Sequence, residues 1–109
     1  METKEGVNLY GLQPVMRPVL KAAEQIWINH GRSEGVTITS TVDSVHSAGS
    51  WHPYGYAVDF RTHYFTDEER LMVYTLLKQV LPRYDVVLHK THIHVEIGDE
   101  LAKELGALF

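Results

Sequence analysis

Apolar residues recur along this chain at two periods, and those periods divide it into elements. Met16, Val19, Leu20, Ala23, Ile26 and Trp27 fall at i, i+3, i+4 and i+7 spacing, which predicts an amphipathic helix over 14–30. Pro14 and Pro18 lie near its start, where a missing N–H costs no hydrogen bond, and Gly31 ends it. The β-branched run Val36–Val42 predicts a strand, Asp43–Pro53 a loop rich in Ser, Gly and His, and Tyr56–Thr62 a second strand. Thr66, with Glu69 three residues on, is a capping box that opens a second helix. Its stripe is expected at Leu71, Tyr74, Leu77, Val80 and Leu81, and Pro82 ends it. Tyr84–Leu88 and His92–Ile97 read as two further strands joined around Lys90-Thr91, and 99–105 as a short closing helix. Helices and strands do not alternate strictly, so the expected fold is α+β: a small antiparallel sheet of about four strands packed by two main helices. No repeat, linker or low-complexity tract divides residues 1–109, so a single domain is expected.

Composition narrows the function classes. With 44% apolar and 22% charged residues the chain can bury a core. A net charge of −4 and the absence of any Lys/Arg run argue against nucleic acid and anionic membrane as partners. No apolar stretch approaches the ~20 residues of a membrane span. The polar start Met1–Gly6 has no apolar segment behind it, so neither a signal peptide nor membrane insertion is expected and synthesis is placed in the cytoplasm. Zero Cys excludes disulfide scaffolds, thiolate zinc fingers, iron–sulfur clusters and cysteine nucleophiles. Seven His is the unusual count, and five of them stand at 46, 52, 89, 92 and 94.

Strand alternation sorts the last of these. Ile93, Val95 and Ile97 share one face and read as core, which leaves His92, His94 and Glu96 on the other. If Lys90-Thr91 is a two-residue loop, His89 lies opposite His92 and joins that face. A solvated polar face is the bland alternative. A second cluster runs from Ser50 to Asp59, with His52 at a loop end and Asp59 in a strand. Together with His94 these offer two imidazole nitrogens and a carboxylate, a common ligand set for catalytic zinc that leaves one position for water.

Ser50-x-His52-x-x-Gly55-x-Ala57-x-Asp59, followed by His92-x-His94, resembles the zinc D-Ala-D-Ala peptidase superfamily. That group includes bacterial D,D-carboxypeptidases and dipeptidases, murein endopeptidases, phage endolysins and the hedgehog signalling domain. The first motif has five fixed positions over ten residues, and the order of elements also resembles the family's core, so the likeness covers nearly the whole chain. Within that group the chain resembles the small phage-borne members. The resemblance implies one Zn²⁺ held by His52, Asp59 and His94, with His92 beside the attacking water as base or transition-state stabiliser. The run His89-x-x-His92-x-His94 is similar to the murein endopeptidase branch and makes His89 the other candidate base. His46 matches a His that hedgehog has at this spacing, and His46 and Ser50 are assigned to the surroundings of the site. Carboxypeptidase members carry an Arg shortly before the first motif; here Ser40–Val45 has none, and Arg61 is a substitute or a plain surface residue. Without that clamp an endopeptidase fits better than a strict C-terminal trimming enzyme.

The implied activity is therefore hydrolysis of peptide bonds in bacterial peptidoglycan, in D-Ala-containing stems or cross-links, by a metallopeptidase of the phage lytic kind. Its substrate partner is the peptidoglycan peptide, reached at the host wall after release. Glu96 reads as a carboxylate that orients a ligand His, or as a solvated charge. Trp51, Tyr54 and Tyr56 read as cleft wall or core, and His30 and His63 as surface. Two other readings stand beside this one: a zinc-bearing but non-catalytic binding module like the hedgehog domain, and a histidine-rich domain without metal.

Overall fold

The strongest alternation in the sequence forms an interior strand of the sheet. In a computed structural model, which describes residues 1–41 and 55–106, β1 is Glu2–Thr3, β2 Thr37–Ser40, β3 Ala57–Arg61, β4 Tyr84–Leu88 and β5 His92–Ile97. The sheet order is β1-β2-β3-β5-β4. Every pairing is antiparallel except that of β1 with β2. Ile93, Val95 and Ile97 are fully buried, as the alternation requires, while His92, His94 and Glu96 face the other way at partial exposure.

The helices are α1 Arg17–Asn29, α2 Asp67–Val80 and α3 Asp99–Glu104. Pro14–Met16 forms a 3-10 turn ahead of α1, and Pro18 sits in the first turn of that helix, where its absent N–H has no partner to lose. α1 buries Val19, Ala23, Ile26 and Trp27. It ends in a Schellman motif, with Gly31 at φ +93° and the Arg32 amide donating to the Trp27 carbonyl at 3.0 Å. Trp27 is the largest fully buried side chain among the described residues. Its Nε1–H donates to the Tyr64 hydroxyl (3.1 Å) and the Arg61 carbonyl (3.3 Å), and its ring lies against Phe60 and Phe65. The end of β3 is thereby tied to the helical layer. In α2 both halves of the capping box are made: Thr66 Oγ1 accepts from the Glu69 amide (3.2 Å), and Glu69 Oε1 accepts from the Thr66 amide (2.8 Å).

Two expectations need correction. The sheet is mixed and five-stranded rather than antiparallel and four-stranded, because the N-terminal residues add a parallel edge, with the Glu2 amide donating to the Val36 carbonyl at 2.8 Å. A two-residue strand carries no alternation from which to predict it. The α2 stripe is also rotated. Leu71 (57% exposed) and Val80 (54%) face out, while Val73, Leu77 and Leu81 form the buried row. α2 carries apolar residues on two sides, and packing against α1 and β4 selects the 73-77-81 side.

Candidate functional site

The polar face of β3 and β5 is built by register. Ala57 pairs with Glu96, Asp59 with His94 and Arg61 with His92, so the chemistry-bearing residues of the two strands stand side by side. Val58 and Phe60 take the alternate positions and are fully buried in the core. A register shift between Ile38 and Ser40 of β2 brings Ser40 opposite Asp59.

Asp59 is almost completely buried, at 5% exposure. Its Oδ1 lies 2.8 Å from His94 Nδ1, and its Oδ2 lies 3.9 Å from His92 Nε2. His94 Nε2 lies 2.6 Å from Glu96 Oε1. Burial opposes a charge on His94, but hydrogen bonds to Asp59 and Glu96 outweigh it and raise the imidazole from 6.5 to about 9. In the metal-free protein at neutral pH both ring N–H groups therefore donate to carboxylates.

The hairpin closes as the two-residue reading requires. The His89 amide donates to the His92 carbonyl at 2.9 Å, and the two imidazoles stack with centroids 4.6 Å apart. His94 meets His89 edge-on at 6.4 Å. Neither Lys90 nor Thr91 has positive φ, which the usual two-residue hairpin turns demand. Bonds from outside hold the turn instead: the Arg70 guanidinium donates to the Lys90 carbonyl, and the Thr62 amide donates to the Thr91 carbonyl at 3.0 Å.

A cleft of about 350 Å³ opens beside this cluster, with Asp59, His92 and Arg61 in its wall. Among the described residues Lys4, His63 and the hydroxyl residues Thr39, Ser40 and Thr91 also line it. Of these, sequence reasoning anticipated Asp59, His92 and Arg61. His63 is exposed, as expected, yet it lines the cleft. No sequence signal marks Lys4, which reaches the site only through the parallel pairing of β1.

The structure thus brings together Asp59, His94, His92, His89, Glu96 and Arg61. His46, Ser50, Trp51, His52 and Tyr54 lie outside the described residues. Tyr56 is half-buried and packs against the core. The motif's Gly55 and Ala57 have structural reasons. Gly55 has φ +81°, and a Cβ there would stand 2.2 Å from the Gly11 carbonyl oxygen. Ala57 is fully buried opposite Glu96.

The donor chemistry fits a zinc ion as far as these residues go. A carboxylate oxygen and an imidazole nitrogen meet at one point, and a second carboxylate holds the far nitrogen, the arrangement that orients a metal-binding His. Among the described residues no group of three or more His, Asp or Glu is placed to hold a metal. The third implied ligand, His52, is not among them. No family model matches the chain, and neither a curated protein nor a solved structure matches it.

Proposed function

We propose that the chain is a zinc-dependent peptidase of the hedgehog and D-Ala-D-Ala peptidase type, acting on peptide bonds of bacterial peptidoglycan. The observation that carries this reading is the buried Asp59–His94 pair with Glu96 on the second imidazole nitrogen. Asp59 and His94, with His52, are the proposed zinc ligands. Zinc bound there supplies a Lewis acid that polarises the scissile carbonyl and acidifies the attacking water.

The chain's own residues do the rest. Glu96 accepts from His94 Nε2–H, which leaves Nδ1 as the metal-facing nitrogen. His92 Nε2, next to Asp59, takes a proton from the attacking water and returns one to the leaving amine. An imidazole suits both directions because its ordinary pKa of ~6.5 lies near working pH. His89, stacked on His92, holds that ring in place and is the other candidate for the proton.

Digestion of purified peptidoglycan by the zinc-loaded chain, with mass spectrometry of the products, tests this. New peptide termini are expected from the wild type. Their rate should fall by about 10²–10⁴-fold in His92→Ala, the range for loss of a general base or acid. His94→Ala and Asp59→Ala should show no activity above background. Zinc-loaded protein inert on every peptidoglycan chemotype would overturn the proposal.

A further inference from the structure

The sheet has a bare edge next to the histidine cluster. β4 ends the strand order and pairs with β5 on one side only. The His89 amide donates to the His92 carbonyl and the Gly98 amide to the Arg83 carbonyl. By antiparallel alternation Asp85 and Val87 therefore also bond inward to β5, and the N–H and C=O groups of Val86 and Leu88 point outward. Among the described residues those outward groups have no hydrogen-bond partner. An edge of this kind is a template for another strand. Asp85, Val87 and His89 share the face of His94 and Glu96, and all three are exposed, Val87 at 42%. Asp85 stands opposite Glu96, a like charge, and has no hydrogen bond or ion pair among the described residues. The exposed Leu71 borders the same edge, because it shares a face of α2 with Lys78, which lies close enough to Asp85 to act on its charge.

We infer that this edge pairs with the same edge of a second copy of the chain, giving one continuous sheet across a two-fold axis at Val87. Two-fold pairing that sets Val86 opposite Leu88 of the partner subunit uses every outward N–H and C=O of both strands. An axis at Val86 or at Leu88 leaves some of them unused. The same register places the side chains. Val87 meets its own copy at the axis and is withdrawn from water. Asp85 falls opposite His89 of the partner subunit, a carboxylate acceptor against an imidazole N–H, and symmetry makes that contact twice. Backbone, apolar and polar groups are thus all matched by one register, which favours a second copy over an unrelated strand. His89 stacks on His92, so the dimer brings Asp85 of the partner subunit to the side of the site that handles the proton. That consequence rests on the peptidase reading; the pairing of the edges does not.

Sedimentation velocity of the full metal-free chain over a concentration series tests the pairing. Wild type should pass from monomer to dimer below about 1 mM, the weak end for a specific pair. Val87→Lys opposes two ammonium groups at the axis, and Asp85→Ala removes the acceptor on both sides; each should weaken association by about tenfold or more. Circular dichroism should show both variants folded as wild type. The chain has no Cys, so a single introduced thiol reads the register. Directly opposed residues of a non-hydrogen-bonded pair have Cα atoms about 4.5 Å apart, within disulfide reach. Under oxidised glutathione Val87→Cys should therefore cross-link into dimers, and Asp85→Cys, off the axis, should not. Wild type that is monomeric at about 1 mM, association unchanged in Val87→Lys, or equal cross-linking of the two Cys variants overturns the proposal. So does a monomer whose Val86 and Leu88 amides shift in NMR spectra only when an extended peptide is added, since the edge then takes a peptide. None of these readouts uses zinc or turnover, so the dimer and the peptidase fail or hold separately.

Discussion

His94 stands between two carboxylates, and that placement decides its protonation. Burial alone would strip the proton from the imidazole, but Asp59 and Glu96 keep it on up to about pH 9. The folded value lies above the ordinary 6.5, so its contribution to stability is complete below about pH 6.5 and disappears as pH rises through about 9. The melting temperature of metal-free protein should accordingly fall between pH 6.5 and 9.5. In His94→Gln the same interval should show a shallower decline, and equal slopes in the two proteins would contradict this account of His94. Much of this cluster was legible beforehand: period-two alternation alone puts His92, His94 and Glu96 on one face. What alternation does not contain is the partner strand. The pairing of Asp59 with His94 depends on a register between segments 35 residues apart, which only the assembled sheet specifies.

At the scale of elements, the turn into β3 carries a steric constraint that explains one motif position. Gly31 and Gly55 share the left-handed backbone, at φ +93° and +81°, but differ in surroundings. A Cβ on Gly31 would meet nothing within 4 Å, whereas on Gly55 it would collide with the Gly11 carbonyl. Gly31→Ala should therefore cost about 1 kcal/mol, the backbone penalty alone. Gly55→Ala should cost about 2 kcal/mol or more, because strand entry must also shift. Urea denaturation of both variants measures the difference, and equal losses would count against the close approach. Helix limits, the capping box and the hairpin were readable because each depends on neighbours within a few residues. The α2 stripe was not: Leu71 and Val73 are both apolar and lie on opposite sides of the helix, and only the packed partner chooses between them.

Across the whole molecule, the site gathers residues from β2, β3 and β5, with Lys4 just after β1, while the helices cover the core through Trp27, Val73 and Leu77. Among the described residues no helix is long and apolar enough to cross a membrane. The N-terminal residues joined the sheet without a sequence signal, so Lys4 entered the site unannounced, whereas Arg61 and Asp59 were placed by their strand. The metal that this face is proposed to hold is the component that ties these residues to one chemistry. Equilibrium dialysis against zinc followed by elemental analysis measures it directly, on wild type, Asp59→Ala and His94→Ala, each checked for an unchanged circular dichroism spectrum. Wild type should retain about one zinc per chain and each variant should lose it, since removal of one of three protein ligands leaves too few donors. A wild-type chain that retains no zinc, or variants that retain as much as wild type, would contradict the central claim.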